Sequence, residues 1–494
     1  VAFSLLAPAY LIAYVHNFRE CCLSGSSQIL KGYMVDMMTP KTLTASRLQL
    51  GWKRQIWFIL IGLLGAGWLW FVMSQHGIGL SPDSAGYLAV ASNLIEGKGF
   101  VSYSGEPLIV HPPLLYLLAV ATLSFLFGLE LTTSALVLNL LLIASTTFVP
   151  GNLTFLVTNS FLVSLFVCFS IILGIPIFQV FIYAWSEPTF IFFLSVAFLY
   201  LVKFIEYRDK IYLLVSSVFV SLACTTRYAG IFILISFIIF LVFMFRKDIV
   251  KRRNEIYTFL FISSFPLYLW EIRNYILSRT FFGRSSNSPN SFIEHSLGFS
   301  NTVTGWFIFP VNYFQSKILL FLVTFLIIII LLIIALKQIE NLRVLFLAAF
   351  IFIYSLLLFV TGINTSMDTI NDRLLSPIFI PSIVVLMNFF HHQIYPRLID
   401  KISKRFRTWL VASGTIVWFA YPVTSILKLG LEVHREGLGY QSVHWQTSET
   451  LAYIRRAREE LQMIPRGYTS LLISRLGACL FSFTRTGQQQ EEHT

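Results

Sequence analysis

The chain has 494 residues, of which 56% are apolar and 12% charged, with a mean hydropathy of +0.74. A chain of that size and composition lacks the polar residues to cover a soluble surface, which excludes a soluble globular enzyme and implies a polytopic, all-α membrane protein. Its formal charge of +12 is gathered in short loops between apolar runs, the pattern that orients a chain in a bilayer, so no nucleic-acid partner is expected.

Taken in chain order, residues 1 to 15 are apolar without a preceding basic region and do not read as a clear signal peptide. Residues 1–54 are taken together as an apolar segment and a basic cytoplasmic region. Apolar runs of roughly spanning length then recur at 55–73, 114–127, 132–149, 153–174, 175–185, 188–202, 211–226, 229–245, 256–270, 317–336, 344–361, 376–393 and 408–427, about thirteen in all. Two or three are short enough to be re-entrant or tilted. The basic connectors Lys41 to Arg54, Lys203 to Lys210, Arg246 to Arg253, Lys337 to Arg343 and Arg397 to Arg407 all fall on the inner face in an unbroken alternation. The outer face receives the loop 74–113, turns near Pro150 and Ser186, the Thr225 to Gly230 turn, the long loops 271–316 and 362–375, and the tail 428–494. In that tail Thr447 to Glu460 reads as a capped amphipathic helix and Tyr468 to Ile473 as β-prone, predicting a small external α/β unit. The sequons at Asn152 and Asn364 fit short external loops. Gly62, Gly65 and Gly67 suit close helix packing. The five cysteines have neither metal nor CxxC spacing.

Within the first external loop, Ser81-Pro82-Asp83 is a strong helix start: a serine oxygen caps free backbone N–H groups, and proline at the first position loses no bond. Leu88, Ala89, Ser92 and Ile95 form an apolar stripe away from Asp83, Tyr87 and Asn93, and Gly97 and Gly99 end the pattern, predicting a short amphipathic helix along the membrane surface. His111-Pro-Pro then imposes an extended backbone before the next apolar run.

Ionisable groups at membrane boundaries are costly and therefore informative. Besides Asp83, the outer rim carries Glu187 before Pro188, Arg227 and Tyr228 in the Thr225 to Gly230 turn, Arg273 and Asn274 beside Glu271, and Asp372 with Arg373. Carboxylates hold divalent metals or act as bases, and arginine forks suit phosphate oxygens, so these groups together describe a site for a phosphorylated substrate. Each also has a plainer explanation: Glu187 as a helix start, Arg227 and Arg273 as snorkelling anchors, Asp372 and Arg373 as a local ion pair, His111 as a loop residue.

The run Pro82-Asp-Ser-Ala-Gly-Tyr-Leu-Ala89, its Leu-Ile-Glu-Gly-Lys-Gly-Phe100 continuation and His111-Pro-Pro-Leu-Leu-Tyr116 resemble the first external loop of GT-C glycosyltransferases, in the group of protein O-mannosyltransferases and the lipid A aminoarabinose transferase. Ser186-Glu-Pro188, Thr226-Arg-Tyr-Ala-Gly230, Arg273-Asn-Tyr275 and Asp372-Arg-Leu-Leu-Ser-Pro377 are similar to later landmarks of that group, in the same order. The resemblance implies a GT-C bundle whose catalytic domain covers 55–427, moving a sugar from a polyprenyl-phosphate donor to a lipid, glycan or protein acceptor at the external face of the plasma membrane. It assigns catalysis to Asp83 and Glu187, with a divalent metal between them as an open option, and substrate binding to Tyr87, His111, Arg227, Tyr228, Arg273, Asn274, Asp372 and Arg373. The chain departs from the mannosyltransferases in carrying Ser84 where their loop has a second acidic residue. The rival expectation is a transporter or flippase of a lipid-linked or anionic substrate, which calls for charges near helix centres rather than at one rim.

Overall fold

The computed structural model describes residues 51–107, 114–282, 288–306, 341–399 and 403–462, which are mainly helical. The apolar segment 1–15, the expected span at 317–336, the β-prone run at 468–473 and His111 lie outside the described residues.

Helix α1 (Trp52–Met73) leads into the loop that carries α2 (Pro82–Ile95) and α3 (Leu114–Phe127). Helix α4 (Leu131–Thr158) follows, then α5 (Phe161–Ile172) and α6 (Ile175–Phe181), which meet at a 50° bend. The bundle continues through α7 (Glu187–Tyr207), α8 (Lys210–Thr226), α9 (Gly230–Phe245) and α10 (Ile249–Ser278). Beyond these lie α11 (Phe292–Gly305), α12 (Leu342–Asn364), α13 (Asp372–Phe389) and α14 (Tyr395–Ile399). The chain closes with α15 (Lys404–Glu436), α16 (Val443–Gln446) and α17 (Glu449–Gln462). Among the described residues six helices are long and apolar enough to cross a membrane, or seven if α5 and α6 form one broken span.

Two of the predicted crossings are absent as crossings. Pro150 lies inside α4 rather than at a turn, so one helix of 28 residues, about 42 Å at 1.5 Å per residue, replaces the run 132–149 and part of the next. Asn152 accordingly sits in a helix with its amide donating to the Phe148 carbonyl. Helix α3 does not traverse either: Tyr116, Leu117 and Val120 pack with Tyr87 of α2 and with Ala135 near the start of α4, so both of its flanks stay at one end of the bundle. The far end of α4 meets the opposite pole, where Arg343 donates to the Leu156 carbonyl and pairs with Glu206 at the end of α7. A third difference concerns 271–316: helix α10 runs on to Ser278, and α11 buries His295 against α12 at Gly362.

Two close approaches fix α1 and the segment that follows it. Gly62 lies so close to α4 that a Cβ there would stand 2.6 Å from the Ala144 carbonyl oxygen. The segment after α1 is bridged on both sides: Gly79 exchanges backbone bonds with Ile182 and Ala184, and Leu80 with Leu438 and Tyr440. Gly439 has φ +56°, and a Cβ there would come 2.1 Å from the Leu80 oxygen. Gly439→Ala is expected to destabilise by about 1–3 kcal/mol from the left-handed backbone alone, with the clash in addition. Its thermal unfolding in detergent should fall clearly below wild type, and an unchanged melting curve would refute the importance of this strap.

Candidate active site

The strap ends at Ser81, whose side chain accepts from the Ser84 N–H and closes a capping box on α2, with Pro82 in the first turn. This fixes Asp83 in the first turn of the helix. The buried residues of α2 are Ser84, Tyr87, Leu88, Val90 and Ala91, rotated from the predicted stripe; Ile95 is exposed. Tyr87 thus turns inward against Tyr116, with ring centroids 5.8 Å apart. Burial, then the Asp83 carboxylate, pushes its phenol up to about 12, so at neutral pH it is a hydroxyl donor and not a base.

Glu187 opens α7 beside Pro188 and is 1% exposed. It is more than a helix start: its Oε1 takes both Arg227, from the turn after α8, and Arg373, from the first turn of α13. Arg373 also pairs with Asp83 at 2.6 Å, and Arg227 donates to the Ser186 hydroxyl at 3.1 Å. One guanidinium therefore joins the two carboxylates that lie 104 positions apart in the chain, and the four charges sum to zero. Glu187 Oε2 is buried and accepts no hydrogen bond.

These groups border a cavity of about 580 Å³. Asp83, Tyr87, Glu187, Arg227, Tyr228 and Arg373 line it, and the walls supplied by α9, α12 and α13 are largely apolar, including Phe232, Leu358 and Pro377. Of the remaining residues selected from sequence, Arg273 lies over the Trp270 ring at 4.4 Å and Asn274 bonds the Phe281 carbonyl, and neither lines the cavity. Asp372 accepts from the Trp306 indole at 2.8 Å and also faces away, so it is not the ion-pair partner of Arg373. Tyr228 lines the cavity, and its hydroxyl is pushed up by burial and by Glu271. Sequence reasoning passes over Ser186 and Trp185. An aromatic residue beside an acidic one at a bundle rim is the available signal for Trp185, whose ring stacks on Arg373 at 4.4 Å.

Asp83 and Glu187 do not fit a divalent metal. Arginines already occupy the positions a cation would take at both carboxylates, and among the described residues no cluster of three or more metal-ligating side chains exists.

The fold and the cavity define a multi-pass helical membrane protein with an arginine and carboxylate cluster at one end of its bundle. No protein-family model matches the chain, and no curated protein matches it. Among solved structures it is similar to ArnT from Cupriavidus metallidurans, in the crystal structure bound to undecaprenyl phosphate, at 17% identity and a TM-score of 0.47 over 73% of this chain and 63% of that one. The apo crystal structure of the same protein is similar at 16% identity and a TM-score of 0.47, over 73% and 61%. The chain thus spans less than two thirds of the length of these structures.

Proposed function

We propose that the chain is a GT-C type glycosyltransferase of the plasma membrane, moving a sugar from a polyprenyl-phosphate donor to a lipid, glycan or protein acceptor on the non-cytoplasmic face. The observation that carries this reading is the pairing of two arginines with two carboxylates in the wall of a 580 Å³ cavity whose α9, α12 and α13 sides are largely apolar. Guanidinium forks suit a phosphate, apolar walls suit a polyprenyl tail, and a carboxylate beside them suits an acceptor hydroxyl. The basic connectors at the opposite pole favour the non-cytoplasmic face.

In this reading an acceptor oxygen attacks the anomeric carbon while the bond from that carbon to the phosphate oxygen breaks. The electron pair leaves with the phosphate, where Arg227 and Arg373 balance the added charge. The hydroxyl proton passes to Asp83, and attack opposite the leaving group inverts the anomeric centre. Because Arg373 already holds Asp83, phosphate binding exchanges that ion pair and releases the carboxylate for the acceptor. Tyr87 and Tyr228 supply hydroxyl donors along the wall.

The test is mass spectrometry of lipid-linked sugars and surface glycans from a host with and without the gene. Loss of the gene is expected to raise the donor lipid and remove a sugar from one acceptor. Uptake of substrate into proteoliposomes with no covalent change would instead establish a transporter.

A further inference from the structure

Trp185 does not line the cavity, yet it touches both halves of the charge cluster. Its indole N–H donates to Ser81 Oγ at 2.7 Å, the same oxygen that caps the Asp83 helix. Its ring face carries the Arg373 guanidinium at 4.4 Å. The other face of the problem is the guanidinium edge, which is taken by Asp83 and Glu187. The indole is itself fixed: it stacks on Tyr183 with centroids 4.3 Å apart, and Ala184 beside it donates to the Gly79 carbonyl in the strap. A planar cation held by its face keeps its edge donors aimed in one plane while their acceptors change, whereas a long arginine side chain held only by its acceptors swings away when one leaves.

We infer that Trp185 is a positioning residue, which holds the Arg373 plane edge-on to the cavity so that a phosphate oxygen can replace Asp83 without reorientation of the guanidinium. The inference rests on the phosphate reading of the site and adds to it a residue outside the cavity that sets phosphate affinity through Arg373.

The experiment measures undecaprenyl phosphate affinity, together with melting temperature, for wild type, Trp185→Met, Trp185→Phe, Arg373→Lys and the Trp185→Met/Arg373→Lys double variant. Trp185→Met, which keeps an apolar side chain but loses the aromatic face, is expected to weaken binding about tenfold. Trp185→Phe, which keeps a smaller aromatic face and loses the N–H, should stay within about threefold of wild type. In the Arg373→Lys background, where no planar fork remains, Trp185→Met should add no further loss. Equal losses from Trp185→Met in both backgrounds, or wild-type affinity in Trp185→Met, would overturn the inference. If Trp185→Met does not purify folded, Trp185→Phe decides: a loss as large as that of Arg373→Lys counts against the inference and near-wild-type affinity supports it. If wild type binds no undecaprenyl phosphate, the phosphate reading fails by itself. The same variants then report coupling through melting temperature, where additive shifts reject a Trp185 to Arg373 link and non-additive shifts retain it.

Discussion

Asp83→Asn is expected to lower sugar transfer by at least about 100-fold, the low end of what a positioned acid or base contributes. Expression and melting should stay near wild type, because the Asp83 side chain is 40% exposed and the cap of α2 belongs to Ser81 and Ser84. The same change should strengthen binding of undecaprenyl phosphate, since Arg373 loses a competing carboxylate and offers its fork to the phosphate. Loss of turnover with tighter phosphate binding distinguishes ion-pair exchange from general damage to the site. Full activity in Asp83→Asn would refute the assignment of Asp83, and weaker phosphate binding would refute the exchange.

Glu187→Ala acts on stability first. At 1% exposed, Glu187 shares one oxygen between Arg227 and Arg373, and its removal leaves Arg227 without its carboxylate and Arg373 with Asp83 alone. Breaking a buried pair by deleting one partner costs about 3–5 kcal/mol, because the remaining charge stays desolvated. Lower yield and a depressed melting temperature in detergent are the expected results, with Glu187→Gln intermediate because its amide oxygen still accepts from the arginines. An alanine variant that melts with wild type would show that the cluster is solvated in the protein rather than buried.

Much of the architecture was readable in the residues, and the failures have physical causes. The Ser81 cap, the start of α7 at Glu187 and the turn at Arg227 follow from local chemistry, which a single sequence carries in full. Pro150 misleads because a proline in an apolar span reads as a break, while α4 tolerates it inside a continuous helix. The run 114–127 misleads because composition cannot separate an apolar helix packed against its neighbours at one pole from a short span; α3 is held there by Tyr87 and Ala135. Asp83, Glu187, Arg227 and Arg373 were selectable one by one as rim charges, but their partners were not, since Arg373 joins residues far apart in sequence and Asp372, its neighbour, turns to Trp306 instead. The side-chain direction of α2 was also hidden: its apolar residues nearly encircle it, and only packing against α3 selects Tyr87 for the interior.

The bridge between Leu80 and Gly439 bears on how the protein is made. The segment that seats Ser81 leaves the ribosome early, while its second backbone partner follows only after nearly the whole bundle has been synthesised. At about 5–20 residues per second, some twenty seconds to a minute separate the two. Until then the strap has Ile182, Ala184 and the Trp185 indole to hold it, and Arg373 reaches Asp83 late in the same interval. The nascent chain can therefore insert most of its helices before the charge cluster closes, so assembly of the bundle in the bilayer precedes completion of the cavity that the bundle serves.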